Sequence, residues 1–151
     1  MEYYQYSDFV VFSCLEYKQT EKDLCNSFGS IDYIFRDHLT WEQFNTALNR
    51  LIYNNYVVFD GKYFKWTKIS KQFALSKMPS ALFTGCIDRA MRGCEFFEKI
   101  PIVEPEHIET LISPELYEQG YAEHRGWADK YIAKLQKKSN KSKKIKCKII
   151  R

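Results

Sequence analysis

Residues 41–67, WEQFNTALNRLIYNNYVVFDGKYFKWT, decide the fold of this chain. In the first half, five apolar residues recur at the 3.6-residue period of one helix face: Phe44, Ala47, Leu48, Leu51 and Ile52. Thr40 and Gln43 have the spacing of a capping box, and Asn54-Asn55 is typical of a helix end. In the second half, aromatic and β-branched runs flank Asp60-Gly61, a strong hairpin signal. The stretch therefore predicts a helix followed directly by a β-hairpin.

The preceding residues predict two more helices. Residues 7–17 form a crowded apolar run that favours a buried helix over a strand, with Ser7 as its cap. Thr20 and Asp23 have a capping spacing that opens a second helix, which Gly29-Ser30 bends or divides. The order helix, helix, turn, helix, strand, turn, strand is that of a winged helix-turn-helix.

Five short blocks of the chain match a recurring pattern of known proteins: Thr40-Trp41-Glu42-Gln43-Phe44, Ala47-Leu48-Asn49-Arg50-Leu51, Tyr56-Val57, Gly61 and Tyr63-Phe64-Lys65-Trp66-Thr67. In these blocks the chain resembles small bacterial winged helix-turn-helix proteins. The resemblance covers about residues 5–75 and implies the fold. It does not choose a function, because that superfamily includes repressors, DNA-binding subdomains and protein-interaction modules.

The rest of the chain divides into two further parts. We expect a winged-helix domain over residues 5–77, which ends in a short helix at 68–77, and a helical extension over 79–135. Helices at 80–99 and 113–135, joined by an extended linker, would cover the back of the domain or form a dimer interface. Residues 136–151 form a basic tail with too little apolar area to order alone. The predicted fold class is mainly α with a small β-hairpin: a winged helix-turn-helix core plus a C-terminal helical extension.

The charge is unevenly distributed. Residues 130–151 carry ten Lys or Arg and no Asp or Glu, whereas the other residues hold 13 basic and 19 acidic side chains. Within that acidic body, residues 40–72 are the basic part, with five basic and two acidic residues. The tail would therefore bind a phosphate backbone or another anionic surface, or lie on the acidic body of its own chain.

For DNA binding, residues 40–53 would form the recognition helix and enter the major groove. Its outward face is expected to carry residues of the types that pair with base edges. Lysines on and after the hairpin would contact phosphate. The predicted DNA-binding residues are Thr40, Gln43, Asn45, Thr46, Asn49, Arg50, Lys62, Lys65 and Lys68. The alternative for the helix is an ordinary solvated face, since it has one Arg, and Glu42 would repel phosphate.

Other classes of function have little support in the sequence. No Gly-rich phosphate loop or catalytic nucleophile signature occurs, and His38, His107 and His124 lack the spacing of a metal pair. We therefore expect no enzyme activity, no cofactor and no metal. Cys14, Cys25, Cys86 and Cys94 lie in apolar helical contexts, which predicts buried thiols. No apolar run is long enough to span a membrane, so we expect no membrane partner and a cytoplasmic location, or a nuclear one in a eukaryote.

Two functions remain open. The first is a winged-helix transcriptional regulator that binds double-stranded DNA as a homodimer. The second is a winged-helix adaptor that binds protein through acidic and aromatic surfaces, without sequence-specific DNA contact. A basic helix and hairpin favour the first, and an acidic body favours the second.

Overall fold

The computed structural model describes residues 1–36, 38–82 and 85–149, with side chains described as far as Ser139. In these ranges the helices are α1 Tyr6–Cys14, α2 Glu21–Cys25, α3 Phe28–Phe35, α4 Trp41–Tyr53, α5 Lys68–Lys77, α6 Cys86–Phe97 and α7 Pro114–Ile149. The strands are β1 Glu2–Tyr3, β2 Gln19–Thr20, β3 Val57–Phe59, β4 Tyr63–Trp66 and β5 Pro101–Ile102. The chain is mainly helical with small antiparallel sheets, so the predicted class is confirmed at this level.

The helix and hairpin predicted from residues 41–67 are α4, β3 and β4. The Gln43 backbone N–H donates to Thr40 Oγ1 at 3.3 Å, and the Thr40 N–H donates to Gln43 Oε1 at 2.9 Å. This pair is the predicted capping box. Asn55 after the helix has φ of 61°, and Gly61 in the hairpin turn has φ of 86°. Both therefore take the left-handed conformation that Asn and Gly tolerate best.

Two strand pairings were not predicted. β2 pairs with β4, so the hairpin is part of a three-stranded sheet in the order β2-β4-β3. β1 pairs with β5, which ties the N-terminus to the predicted extended linker. β1, β2 and β5 have two residues each, too few to show an alternating pattern in the sequence.

One aromatic core joins the N-terminal elements to α6. Phe12 of α1 stacks on Trp66 with ring centroids 4.6 Å apart and on Phe97 of α6 at 4.9 Å. The Trp66 indole N–H donates to the Phe12 carbonyl at 2.9 Å, so this buried polar group is satisfied. α6 buries the face that carries Ala90 and Cys94. Helix α6 therefore covers the domain within the chain, one of the two roles expected for it.

Several helix boundaries differ from the predictions. α1 is capped at Gln5 rather than Ser7, because the Gln5 N–H donates to the Asp8 carboxylate at 2.7 Å. The second predicted helix divides at Asn26–Ser27, ahead of the expected glycine. The helix predicted at 80–99 is a 3-10 turn at Ser80–Leu82 followed by α6, which Gly85 caps. Residues 83 and 84 of that prediction lie outside the described residues.

Helix α7 continues far into the basic tail, past the boundary that the sequence predicts after residue 135. The helix has 36 residues and passes through Gly120 and Gly126. Extending an existing helix avoids the cost of nucleation, and residues 127–149 contain no Gly or Pro. At Gly120, an added Cβ would lie 2.8 Å from the Cys25 carbonyl oxygen. Glycine here permits the close approach of α7 to α2.

Candidate functional site: the covered face of α4

The face of α4 expected to meet DNA is covered by the chain itself. After β5, residues 103–112, here called the covering segment, cross α4 before α7 begins at Pro114. The segment ends at Ile112, which is buried, and its carbonyl accepts a hydrogen bond from the Trp41 indole N–H at 2.8 Å. The pairing of β5 with β1 fixes the start of this path.

Asn45 and Asn49 bind the backbone of the covering segment. Asn49 Nδ2 donates to the Glu109 carbonyl at 2.9 Å, and the Glu109 N–H donates back to Asn49 Oδ1 at 3.0 Å. Asn45 Nδ2 donates to the same carbonyl at 2.8 Å, and the Leu111 N–H donates to Asn45 Oδ1 at 2.9 Å. Asn45 is 3% exposed and Asn49 8%. Both side-chain amides use donor and acceptor inside the protein, as buried amides require.

A third asparagine repeats this arrangement at the end of the helix. Asn54 Nδ2 donates to the Val103 carbonyl at 2.9 Å, and the Val103 N–H donates to Asn54 Oδ1 at 2.9 Å. Three asparagines of α4 and its C-cap therefore hold both ends of the covering segment by paired hydrogen bonds to its backbone.

Arg50 adds an ionic contact to the same interface. Its Nη2 lies 2.9 Å from Glu104 Oε1 and its Nε 3.0 Å from Glu104 Oε2, a bidentate pair. Arg50 Nη1 also lies 3.5 Å from the fully buried Asp8 carboxylate. Burial raises the pKa of Asp8 to about 6, although the Gln5 N–H and the nearby Arg50 guanidinium oppose the shift. The single arginine of α4 is therefore paired within the protein.

These contacts correct the expected outward face of α4. Asn45, Asn49 and Arg50 lie against the chain and not in solvent. Thr40 and Gln43 are exposed but form the capping box, and Thr46 is half-buried. The sequence shows the three asparagines at 45, 49 and 54. An asparagine side chain can pair with a base edge or with a peptide group, so residue type alone does not distinguish the two roles. The partner segment of these asparagines lies 49 or more residues further along the chain, and no local pattern in the sequence identifies it.

The predicted phosphate contacts remain accessible. Lys62, Lys65 and Lys68 are all exposed. Lys65 lies 3.6 Å from Asp60 across the turn, while Lys62 and Lys18 lie over the Tyr63 ring. The hairpin thus has a small cationic surface around one tyrosine, suited to non-specific phosphate contact.

A second cluster of polar side chains lines a cleft between α3 and α7. The cleft has a volume of about 210 Å³. His124 Nε2 lies 3.8 Å from Asp32, and the His38 ring stacks on Tyr121 at 4.2 Å. Within the described parts of the chain, no three His, Cys, Asp or Glu side chains are grouped as metal ligands would be.

The cysteines agree only in part with the predicted buried thiols. Cys25 and Cys94 are buried, and burial raises the pKa of each thiol to about 12. Cys14 is half-buried. Cys86 is exposed, so the prediction is wrong there: it lies in the first turn of α6, and the buried residues of this helix begin only one turn later, at Ala90.

Comparisons of the chain with protein-family models, with curated proteins and with solved structures gave no significant match. Across residues 1–36, 38–82 and 85–149, no helix combines the length and the hydropathy that crossing a bilayer requires.

Proposed function

We propose that the chain is a winged-helix protein-interaction adaptor, in which α4 makes no sequence-specific contact with DNA. The winged-helix assignment is supported by the order of elements from α1 to β4 and by the strand order β2-β4-β3. The winged-helix domain would span residues 5–77, with α6 and the first half of α7 as cover.

The observation that carries the proposal is the covered face of α4. A base-reading helix needs free side-chain amides and guanidinium groups, but those of Asn45, Asn49 and Arg50 are bound to the covering segment. Each lost hydrogen bond costs roughly 1 kcal/mol net, and more where a partner is left buried and unpaired. Opening this face therefore costs several kcal/mol at least, by the same scale.

The outer side of the covering segment supplies a surface for a protein partner. Glu104, Glu106 and Glu109 are exposed there, beside Val103 at 63% and Ile108 at 48% exposure. This acidic and apolar surface would repel a phosphate backbone placed along α4. It suits a partner with basic and apolar side chains.

The second candidate is the DNA-binding regulator, acting as a homodimer. It is favoured by the exposed Lys62, Lys65 and Lys68 together with the cations of α7. These lysines would contact phosphate, so this binding would depend steeply on salt and little on sequence.

Selection from a random pool of duplex DNA separates the two candidates. The full-length chain, a 1–135 truncation and Lys62→Ala/Lys65→Ala would be compared at low and at physiological salt. We expect no enriched sequence from any of them, and loss of residual binding in the truncation. An enriched motif retained by the truncation and weakened by Thr46→Ala would overturn the adaptor proposal. The mass in solution, from sedimentation equilibrium, tests the homodimer.

A further inference from the structure

The second half of α7 projects beyond the body and has two different sides. Trp127, Tyr131 and Leu135 recur at a spacing of four residues, and Ile132 lies beside them. Trp127 is 64% exposed, Tyr131 and Ile132 are each 51% exposed, and Leu135 is 47% exposed. The Trp127 and Tyr131 rings stack on each other with centroids 5.5 Å apart. Four large apolar residues in one helical stretch thus face solvent.

A cationic stripe runs beside the apolar one. Lys130, Lys134 and Lys137 are exposed and are spaced four and three residues apart, which places them along one side of a helix. With about 100° between successive residues, this stripe is centred roughly 100° from the apolar stripe. In the sequence the same spacing continues at 141, 144 and 148, each a lysine, whereas the lysines at 138, 143 and 146 fall outside it.

We propose that this part of α7 binds the surface of an anionic lipid bilayer, lying in the plane of the interface. Interfacial helices combine Trp and Leu on one face with Lys on the other, and both faces contribute to binding. Trp and Tyr also favour the level of the lipid headgroups. Residues 130–149 of the helix are about 30 Å long, enough to lie along many headgroups.

Two other occupants use only part of this surface. A nucleic acid would pair with the lysines but leave most of the apolar stripe in water. A second copy packed in parallel would cover the apolar stripe but bring two lysine stripes together, a repulsive arrangement. An anionic bilayer would bury the apolar stripe and pair its headgroups with the lysines at the same time.

The first half of α7 connects this surface to the body. Tyr117 is buried and its hydroxyl donates to the Leu39 carbonyl. Gly120 allows contact with Cys25. A bilayer bound at the distal half would therefore hold the whole domain at its surface. The expectation from the sequence of no membrane partner rested on the absence of a spanning segment, and a helix that lies on the surface needs none.

Binding to lipid vesicles tests the proposal with the full-length chain. Vesicles of phosphatidylcholine with about 30% phosphatidylserine would be compared with phosphatidylcholine alone, by co-sedimentation and tryptophan fluorescence. We expect at least about tenfold tighter binding to the anionic vesicles, since each lysine near the surface adds attraction. We also expect a blue shift of the emission, which Trp127→Phe removes because this exposed indole enters the interface.

Three variants separate the contributions of the two stripes. Tyr131→Ser/Leu135→Ser and Lys130→Gln/Lys134→Gln/Lys137→Gln should each weaken binding about tenfold or more. The matched control, Lys22→Gln/Lys77→Gln/Lys99→Gln, removes the same charge from exposed positions of the body away from the hairpin, and should bind within about twofold of the unaltered chain. Circular dichroism would check that each variant is folded.

Three results would overturn the proposal. One is equal or no binding to both kinds of vesicle. Another is binding to duplex DNA or RNA with an affinity that Tyr131→Ser/Leu135→Ser does not change, together with no binding to vesicles. The third is a dimer that depends on Tyr131 and Leu135 and binds no vesicle. None of these results bears on α4, so the adaptor proposal stands or fails separately.

Discussion

Asn45 and Asn49 have a structural role that their residue type does not reveal. An amide side chain offers one donor group and one acceptor, the same pair that a peptide group offers. The covering segment is not part of a sheet, so its peptide groups have no strand partner. The side-chain amides of α4 take that place and form hydrogen bonds with the backbone of the segment. They therefore make an extended segment without sheet pairing tolerable next to a buried helix face.

Asn49→Ala tests this role. The change leaves the Glu109 N–H without its acceptor and should lower the free energy of unfolding by about 1–3 kcal/mol. Urea denaturation followed by circular dichroism measures the change. Thr46→Ala, one turn away and half-buried, is the matched control and should stay within about 0.5 kcal/mol. Equal effects of the two substitutions would contradict a specific role for Asn49.

Asp8 predicts a pH dependence of stability. Its pKa in the folded protein is about 6, above the ordinary 3.8, so the folded state binds this proton more tightly than the unfolded state does. The Asp8 contribution therefore makes the protein more stable as the pH falls from 7 to 4. The Asp8→Asn variant lacks this contribution. As the pH is lowered from 7 to 4, its free energy of unfolding should therefore fall relative to that of the unaltered chain.

The control for that comparison is Asp129→Asn, which removes an exposed carboxylate. It should keep the pH profile of the unaltered chain. Parallel profiles for the unaltered chain and Asp8→Asn would show that the Asp8 carboxyl does not titrate in this range.

At the scale of elements, α7 contains two glycines in different surroundings. Gly120→Ala would place a Cβ 2.8 Å from the Cys25 backbone and should destabilise the protein by about 1–3 kcal/mol. Gly126→Ala meets nothing within 4 Å and should stabilise the helix by about 0.5–1 kcal/mol, because alanine favours the helix. Urea denaturation distinguishes them. A gain in stability for both would mean that α7 does not pack closely on α2.

The elements that could be predicted from sequence are those with local signals. α4 has an apolar stripe and a capping box, and the hairpin has Asp60-Gly61, so both are where the sequence places them. The pairings of β2 and β1 depend on contacts between distant residues, and each strand is too short for a pattern. The length of α7 was underestimated because composition describes an isolated tail, whereas this tail extends an existing helix.

For the whole molecule, the charges are separated along the chain and in space. The exposed carboxylates of the covering segment lie over α4, while the described lysines of α7 lie on the part of the helix that leaves the body. Residues 130–139 are all exposed, so this part of the chain does not lie on the acidic body, which was one of the two roles expected for the tail. The separation gives the molecule an acidic and a cationic surface suited to different partners.

Much less of the candidate site than of the fold could be predicted. The accessible lysines of the hairpin follow from the turn and from strand alternation. The position of Asn45, Asn49 and Arg50 does not, because burial of α4 depends on a segment that begins about 50 residues later. A polar helix face in a sequence looks the same whether water, DNA or another segment of the chain covers it.

Hydrogen exchange at the Glu109 and Leu111 amides tests the covered face of α4 most directly. Both N–H groups donate to asparagine side chains, so NMR should show exchange far slower than for an open segment. We expect this protection to be unchanged when random-sequence duplex DNA is added. Exchange at the rate of an unprotected peptide, or a loss of protection on adding DNA, would contradict the account.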